Sequence, residues 1–365
     1  MGGPLRFGIV GVGKISEQYF ASLGRLPGIR LVAVADLDAE RSAQVAAEHG
    51  VESLTVDALI AHPDIDAILN LTIPIAHVDI ATRALAAGKH VFGEKPLGLT
   101  VAEAGPMLAL AESAGLRVGS APDTVLGTGI QTARQLLDSG AIGDPVGASA
   151  SWVSSGHEQW HPAPQFYYQP GGGPLFDMGP YYLTALVELL GPVVRVSATT
   201  RRSTRERAIE VGARAGTPIA VEVDTHVTAL LEHAAGPSST IQVSFDVWTS
   251  RHSPIELYGS SGTMAVPDPN HFDDPVSLWT PAAPEWTEVA PTAGYLQAAR
   301  GYGLADMAQA IATDRPHRAS GLMAMHVLDI MESILLAGAE HRVVELVTTA
   351  EQSAPIELGS TPESW

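Results

Sequence analysis

The feature that most constrains the fold is a glycine turn near the start of the chain. A short β-rich run, Leu5–Val10, is followed by Gly-Val-Gly-Lys-Ile-Ser at residues 11–16 and then by a helical pattern. A strand, a glycine turn and a helix in this order are typical of a dinucleotide-binding unit. Gly11 permits the tight turn, Gly13 lets a pyrophosphate approach the backbone, and Ser16 replaces the third glycine. An ordinary turn between a strand and a helix is the alternative, and the turn alone does not exclude it.

An acidic residue follows the next predicted strand. Residues 31–35 are apolar and predict a buried strand, and Asp36 stands at its C-terminal end. An acidic side chain about 20 residues after the glycines can bind the ribose hydroxyls of NAD, and it repels the 2′-phosphate of NADP. The sequence therefore favours NAD, and NADP is the alternative if Arg41 turns toward the site. The other role open to Asp36 is the N-cap of a helix predicted over residues 39–49.

Strands and helices continue to alternate up to residue 120. The patterns are helical at 56–61, 76–87 and 100–114 and strand-like at 66–71, 90–92 and 117–120. This order predicts an α/β fold with a parallel, right-handed, doubly wound sheet. Because such sheets bind ligands beyond the C-terminal ends of their strands, the residues there are candidate cofactor contacts. They are Gly11, Gly13, Lys14, Ile15, Asp36, Thr72, Pro74, His77, Glu94 and Lys95.

Two of these candidates have a second interpretation. His77 opens a predicted helix, where it either contacts the cofactor or only caps and packs. Lys95 follows a strand rather than lying on a solvated helix face, and a lysine beside a nicotinamide can relay a proton. Without a dinucleotide site, the default interpretation of Lys95 is a surface lysine in the turn before Pro96.

A second glycine-rich stretch lies near the middle of the chain. Residues 171–182 read Gly-Gly-Gly-Pro-Leu-Phe-Asp-Met-Gly-Pro-Tyr-Tyr, and an apolar helical pattern continues to Gly191. Asp177 and Tyr181 are four residues apart and therefore share one helix face. Asp177 is the predicted N-cap, with Pro180 in the first turn; an earlier start predicts a kink at Pro180. A capped structural helix and a catalytic helix explain this stretch equally well.

An aromatic loop at residues 155–173 precedes the helix. Trp160 and Tyr167 in this loop are candidate substrate contacts, because aromatic faces pack on the C–H faces of sugar rings. The alternative is a hydrophobic cluster that only holds the loop down. His157 and His161 have no partner at a recognised ligand spacing, so no metal site is predicted.

Strand patterns dominate the rest of the chain. They lie at residues 145–154, 193–202, 219–231, 239–248 and 254–259. No helical pattern separates the last four, which predicts an antiparallel sheet. Such a sheet needs helices on one face and water or a partner subunit on the other. The change of pattern predicts a domain boundary between residues 120 and 145.

The composition disfavours several classes of partner and chemistry. Asp and Glu number 40 against 21 Lys and Arg, and the net charge of −19 disfavours nucleic acid and anionic membranes as partners. The absence of cysteine excludes disulfides, thiol catalysis and thiolate metal sites. No signal peptide and no apolar run of membrane-spanning length are predicted, so we expect a cytoplasmic location.

Several motifs together resemble one protein family. They are Gly11-x-Gly13-x-x-Ser16, the tripeptide Glu94-Lys95-Pro96 and the stretch at 171–181, and residues 256–263 and 304–336 fit as well. This set resembles the Gfo/Idh/MocA family of NAD(P)-dependent sugar and cyclitol dehydrogenases, named for glucose-fructose oxidoreductase and inositol dehydrogenase. The resemblance implies a Rossmann domain at 1–123 and a substrate-binding and oligomerisation domain at 124–365 with a large, open, mainly antiparallel sheet. It also implies a homodimer or homotetramer formed through that sheet.

The resemblance also implies roles for individual residues. Lys95 has the position of the family's usual catalytic lysine. Asp177 and Tyr181 have the positions of the aspartate and histidine in the Asp-x-Gly-x-His motif, with which many members contact the sugar. Because tyrosine replaces histidine here, either Lys95 or Tyr181 carries the proton.

The resulting prediction is an NAD(P)-dependent oxidoreductase. It transfers a hydride between a nicotinamide and a hydroxyl or ketone of a sugar, a sugar derivative or a cyclitol. Lys95, Asp177 and Tyr181 are the predicted catalytic residues, and these three with Trp160 and Tyr167 are predicted to bind the substrate. The alternative is a non-catalytic NAD(P)-binding sensor or regulator of the same fold, since some members of the family are not enzymes.

Overall fold

A computed structural model describes residues 3–363 of the chain. Contacts among these residues divide them into two compact units. Unit 1 contains the described residues up to Gln131, the segment Thr292–Met325 and the segment from Ser353 onward. Unit 2 contains Thr132–Pro291 and His326–Gln352. The division into a Rossmann domain at 1–123 and a substrate-binding and oligomerisation domain at 124–365 stays a prediction.

The helices and strands follow the alternating order expected in the first part of the chain. They are β1 (Leu5–Val10), α1 (Ser16–Leu23), β2 (Ile29–Ala35), α2 (Ala39–His49), β3 (Glu52–Ser53), α3 (Val56–Ile60), β4 (Ala67–Asn70), α4 (His77–Ala86), β5 (His90–Gly93), α5 (Val101–Ser113), β6 (Val118–Ser120) and α6 (Thr128–Asp138). The later elements are β7 (Pro145–Val153), α7 (Gly173–Leu190), β8 (Val193–Arg201), β9 (Arg207–Ala208), β10 (Pro218–Ile219), β11 (His226–His233), β12 (Ser238–Ser244), β13 (Ile255–Gly259), β14 (Thr263–Val266), β15 (Val276–Thr280), β16 (Ala283–Val289), α8 (Tyr302–Thr313), α9 (Gly321–Glu340) and β17 (Val344–Glu345).

In the described part of unit 1, six strands form one parallel sheet in the order β3-β2-β1-β4-β5-β6. The central strand β1 is buried except at Arg6, as a strand covered on both faces must be. Pairing aligns the C-terminal ends of five strands, at Val10, Ala35, Asn70, Gly93 and Ser120. The predicted doubly wound parallel sheet is confirmed, and the residues after those strand ends share one edge of it.

The sheet of unit 2 is larger and of mixed direction. Among the described residues it has nine strands, in the order β16-β15-β14-β13-β7-β12-β11-β8-β17. β7 and β12 pair in parallel, and the other neighbouring strands in that order are antiparallel. Side chains along β11 alternate between more and less buried positions, so one face of the sheet is covered. Helix α7 packs on β7, β11 and β12. The predicted mainly antiparallel sheet is confirmed.

Helix α7 begins earlier than the sequence predicts. Its first residue is Gly173, with Pro174 in the first turn, so the prediction that Asp177 is the N-cap is wrong. Proline suits a first turn because its missing N–H would have no partner there. Pro180 therefore lies inside the helix, where it cannot donate a backbone hydrogen bond. A Cβ on Gly172 would lie 2.5 Å from the carbonyl oxygen of Phe166, so only glycine lets the loop approach the helix start.

The length and composition of helix α9 differ from what the sequence predicts about apolar runs. Among the residues that the structure describes, it alone is long and apolar enough to cross a membrane by length and composition. The prediction that no apolar run reaches that length is therefore wrong. Most of α9 is buried within the structure, as is usual for the core helix of a soluble protein.

Candidate active site

The glycine turn leaves its backbone open at Gly13. Gly11 has a φ of 94°, and a Cβ there would lie 2.8 Å from the backbone of Leu71, so only glycine fits. A Cβ on Gly13 would meet no atom within 4 Å. The hydroxyl of Ser16 donates to the carbonyl of Gly13 at 2.7 Å, which closes the turn in place of a third glycine. No side chain caps the N-terminus of α1, and the backbone N–H groups of Ser16 and Gln18 donate to the carbonyls of Gly13 and Ile15. The positive end of the helix dipole can attract an anionic group there.

Asp36 joins the end of β2 to the glycine turn. One carboxylate oxygen accepts from the backbone N of Val12 at 2.8 Å, and the other accepts from the backbone N of Asp38 at 2.9 Å. The N-cap of α2 is Asp38 and not Asp36. Arg41 donates to the carboxylate of Asp38 at 3.0 Å, and the backbone N–H of Arg41 lowers the pKa of that carboxyl. The guanidinium is thus bound to Asp38, which leaves the negative charge of Asp36 beside the turn.

His77 lies buried between two backbone carbonyls. Its Nδ1 is 2.7 Å from the carbonyl oxygen of Pro96, and its Nε2 is 2.9 Å from that of Thr72. Both neighbours are acceptors, so a neutral ring donates to one of them at a time. The buried side chain of Asn70 also bonds to the backbone of Thr72 and of His77. His77 therefore packs and joins the segment after β4 to the Glu-Lys-Pro motif, and its contact with the cofactor stays a prediction.

The Glu94-Lys95-Pro96 motif is anchored by Tyr19 of α1. The hydroxyl of Tyr19 donates to Glu94 Oε1 at 2.8 Å, and Oε2 accepts from the backbone N of Lys95 at 3.1 Å. Tyr19 and Glu94 are buried, and burial raises the pKa of Tyr19 well above its usual value, so its hydroxyl remains a donor. Glu94 hence fixes the backbone that carries Lys95, which is itself half-buried.

The remaining predicted cofactor contacts border these segments. The ammonium group of Lys14 is exposed and donates to Glu17 at 2.6 Å, and Ile15 is the N-cap residue of α1. Pro74 begins a short 3-10 turn, Pro74–Ala76, before α4. All predicted cofactor contacts thus follow the C-terminal ends of β1, β2, β4 or β5, at the shared edge of the unit 1 sheet.

The described residues of unit 1 suit a dinucleotide. The open backbone at Gly13 suits a pyrophosphate, and the carboxylate of Asp36 suits a ribose. Within residues 3–363, no three or more His, Asp or Glu side chains are grouped so that they could hold a metal ion. A cavity of about 690 Å³ lies elsewhere, lined by Leu5, Arg6 and Asp66 at the N-terminal ends of β1 and β4. It lies at the opposite edge of the same sheet and is not part of this site.

Asp177 and Tyr181 lie one helical turn apart on α7 in unit 2, as predicted. Tyr181 is 5% exposed. Asp177 is half-buried, whereas the rest of the helix is buried. An anionic acceptor and a phenol therefore lie on one face of a mostly apolar helix, whose other carboxylate, Glu188, lies near its C-terminal end. A charge in such a place usually has a specific partner.

His157 provides such a partner, and it is a residue that sequence reasoning missed. Its Nε2 lies 2.7 Å from Oδ2 of Asp177, and its Nδ1 lies 3.2 Å from the indole Nε1 of Trp160. Twenty residues separate His157 from Asp177, a spacing that belongs to no motif. The one signal in the sequence is the place of His157 in the aromatic loop.

The aromatic loop contains both a packed hydrophobic cluster and an exposed aromatic ring, the two alternatives that the sequence left open. Tyr167 packs on Phe166 and on His157, with ring centroids 4.0 and 4.3 Å apart, and it borders a buried cluster that contains Phe245. Trp160 is 58% exposed. The loop therefore has a buried side that fixes it and an indole ring that a ligand can contact; both substrate-contact roles stay predictions.

Buried charges hold this loop in place. Arg207 donates to Glu158 at 2.6 Å and to Asp246 at 2.5 Å, and the hydroxyl of Tyr168 also donates to Glu158. The side chains of Arg207 and Glu158 are 0% and 1% exposed. Burial raises the pKa of Tyr168, which keeps its hydroxyl protonated. The backbone around His157 is fixed by this network because Glu158 is its neighbour in the chain.

Two family models match the chain. The model described as an oxidoreductase family with an NAD-binding Rossmann fold matches residues 5–121, and the GFO/IDH/MocA C-terminal domain matches residues 130–265. A curated relative, the dTDP-3,4-didehydro-2,6-dideoxy-alpha-D-glucose 3-reductase of Streptomyces antibioticus, is 30% identical over 269 residues, 72% of this chain and 75% of the relative. The chain belongs to the Gfo/Idh/MocA family. The predicted family, the oxidoreductase class and the NAD-binding domain are confirmed.

Other proteins are similar to this chain over most of their length. The inositol 2-dehydrogenase of Rhizobium meliloti (strain 1021) is 27% identical over 263 residues, 72% of this chain and 75% of the relative. Among solved structures, an NAD binding oxidoreductase from Klebsiella pneumoniae superposes with a TM-score of 0.82 at 22% identity, over 94% of this chain and 99% of that one. This likeness shows that the fold is shared.

Proposed function

We propose that this Gfo/Idh/MocA oxidoreductase transfers a hydride between a nicotinamide and a sugar, a sugar derivative or a cyclitol. The observation that carries the proposal is the pair Asp177 and Tyr181 on one face of α7, in a unit that also exposes Trp160. A carboxylate binds hydroxyl groups, a phenol exchanges a proton, and an indole face packs on the C–H face of a ring. The names of the relatives, a deoxysugar reductase and an inositol dehydrogenase, support this substrate class.

The residues of the chain supply position and proton transfer. Bound NAD(H) supplies the acceptor or donor of the hydride at C4 of its nicotinamide. In the oxidative direction the substrate hydroxyl loses its proton to Lys95 or Tyr181 while the C–H bond breaks and a C=O bond forms. In reduction the same residue returns the proton to the oxygen. Asp177 accepts a hydrogen bond from a substrate hydroxyl and holds the ring in the reactive orientation.

NAD is the proposed cofactor rather than NADP. The carboxylate of Asp36 lies beside the glycine turn, and the guanidinium of Arg41 is bound to Asp38 rather than to Asp36. A 2′-phosphate would meet that charge, whereas ribose hydroxyls can donate to it.

A panel of sugars, deoxysugar derivatives and cyclitols tests this function through the change in nicotinamide absorbance, with NAD(H) and NADP(H) supplied separately. We expect turnover with at least one compound. Whichever of Lys95→Ala and Tyr181→Phe removes the proton-transfer group should lower kcat about 100-fold or more. Tyr302→Phe, which removes a phenol from α8, serves as the matched control. Wild-type rates in both Lys95→Ala and Tyr181→Phe would contradict the assignment. Tight NAD(H) binding without turnover of any compound would favour the sensor instead.

The sheet of unit 2 is the proposed subunit interface of a homodimer or homotetramer. Large apolar side chains are exposed on its strands, at Val194, Leu230, Tyr258 and Trp286. Leu230→Glu should reduce the mass measured by light scattering to that of a monomer, because a charge cannot be buried there without a partner. An unchanged oligomer would exclude the part of the sheet around Leu230 from the interface. The cytoplasmic location and the absence of nucleic-acid and membrane partners stay predictions from the sequence.

A further inference from the structure

Three side chains of unit 2 form a chain of hydrogen bonds that ends on Asp177. The indole Nε1 of Trp160 lies 3.2 Å from Nδ1 of His157, and Nε2 of His157 lies 2.7 Å from Oδ2 of Asp177. The side chains of His157 and Asp177 are 8% and 13% exposed, so their bond is shielded from water. Trp160 stands at the exposed end of the chain.

The direction of this chain follows from its donors. An indole N–H can only donate, so Nδ1 of His157 must accept and carries no proton. The single proton of the neutral ring is then on Nε2, from which it is donated to the carboxylate of Asp177. Trp160 thereby selects the tautomer of His157 that can bind Asp177.

His157 is held rigidly enough to make this bond directional. Its backbone N donates to the hydroxyl of Tyr168 at 3.2 Å, and Tyr168 is fixed in turn by the buried Glu158. Its ring packs against Tyr167 and Phe245, with centroids 4.3 and 4.7 Å away. The imidazole cannot swing away from Asp177 without breaking these contacts, so the carboxylate is preorganised.

We propose that His157 is a positioning residue that fixes the carboxylate of Asp177 for the substrate, with Trp160 setting its tautomer. The inference rests on the proposed function, in which Asp177 binds a substrate hydroxyl group. The bond from His157 restricts rotation of the carboxylate and offsets the cost of holding a charge in a mostly buried place. It also connects the exposed indole, on which a ring can pack, with the group that recognises hydroxyls of that ring.

Two amide substitutions separate this role from simple packing. In His157→Gln the amide nitrogen comes near the place of Nε2 and can still donate to Asp177. In His157→Asn the amide nitrogen comes near the place of Nδ1, and the shorter side chain cannot reach the carboxylate of Asp177. We expect His157→Asn to lower kcat/KM about 10- to 100-fold, mainly through KM, which is the cost of losing a hydrogen bond to a charged group. The kcat/KM of His157→Gln should stay within about 3-fold of the wild-type value.

His252→Gln is the matched control, because it changes an exposed histidine of the same unit. Thermal melting of each variant shows whether the loop has kept its packing. Equal losses in His157→Gln and His157→Asn, with wild-type melting, would overturn the proposal, as would wild-type kinetics in His157→Asn.

A double-mutant cycle tests whether His157 acts through Asp177. In an Asp177→Asn background, His157→Asn should lower kcat/KM by less than about 2-fold more, because both changes remove the same contact. Losses that multiply in full would show that His157 acts independently of Asp177.

The tautomer can be measured without any turnover. Long-range ¹⁵N–¹H correlation spectra of the uniformly labelled protein report which ring nitrogen carries the proton, and the signal lost in His157→Gln assigns His157. We expect a protonated Nε2 in the wild type, and a shift toward the Nδ1 tautomer in Trp160→Phe. A wild-type ring protonated on Nδ1 would overturn the inference. If no compound of the panel turns over, the proposed function fails, whereas this spectrum decides the hydrogen-bond chain by itself.

Discussion

The substitution Arg207→Met tests how far unit 2 depends on its buried charges. The side chains of Arg207 and Glu158 are 0% and 1% exposed, and the guanidinium also bonds to Asp246. Methionine fills a similar volume but removes the cation, so Glu158 remains buried without its main partner. Removing one partner of a buried ion pair costs about 3–5 kcal/mol. In a unit of this size that cost lowers the melting temperature by about 6–20 °C.

Differential scanning calorimetry of the full chain measures this change. Arg195→Met is the control, because Arg195 pairs with Glu232 at an exposed position and its loss should leave the melting temperature unchanged. Adding Glu158→Gln to Arg207→Met should restore part of the lost stability, since no charge is then stranded next to Tyr168. If Arg207→Met melts at the same temperature as Arg195→Met, the reasoning about the buried charges is refuted.

Three further predictions concern the turn, the cofactor and the pH dependence of stability. Asp36→Ser should raise the KM for NAD and lower that for NADP, because both the ribose contact and the repulsion of a 2′-phosphate are lost; an unchanged ratio of the two kcat/KM values would contradict this. Gly11→Ala should abolish NAD(H) binding in calorimetric titration, since φ is 94° and the new Cβ would lie 2.8 Å from Leu71; wild-type affinity would argue against the turn geometry. Burial lowers the pKa of His326 from 6.5 to about 4. As the pH falls, His326 is therefore protonated in the unfolded state before it is protonated in the folded state. The free energy of unfolding is not reduced by this effect above about pH 6.5, and it decreases by up to about 3 kcal/mol toward pH 4. In His326→Gln the amide can still accept from the backbone N of Val193 but cannot be protonated. Its free energy of unfolding, measured with denaturant, should therefore fall less than that of the wild type between about pH 6.5 and pH 4.

The sequence predicts much of unit 1 because its signals are local. The glycine turn, the strand β1 and the acidic residue Asp36 each depend on a few neighbours in the chain, and parallel pairing then brings them to one edge. The position of Asp177 one turn before Tyr181 is predictable for the same reason, since a helix fixes which residues share a face.

The rest depends on contacts that no periodic pattern encodes. Pro174 and Pro180 are both compatible with the first turn of α7, and the sequence does not show which of them lies there. Because Pro174 lies in the first turn, Asp177 is an internal residue rather than the N-cap. His157 meets Asp177 only because the loop folds back on the helix. Glu158 and Arg207 are 49 residues apart and bond only in the folded unit. Side-chain pairs of this kind require three-dimensional packing, which the spacing of residues does not reveal.

The segments that complete unit 1 have a consequence for the synthesis of the protein. The edge strand β6 is bonded by residues made much later, with the backbone N of Ser120 donating to the carbonyl of Ala319 at 3.0 Å. The buried Asp123 likewise accepts from the backbone N of Gly301 at 2.9 Å. A ribosome that has released the whole parallel sheet has therefore not yet made the groups that cover its edge. An uncovered edge strand is a template for pairing with other chains, so β6 is where a stalled or shortened nascent chain would aggregate. The parallel sheet is thus translated early, but its edge is covered only after residues near 301 and 319 have been made.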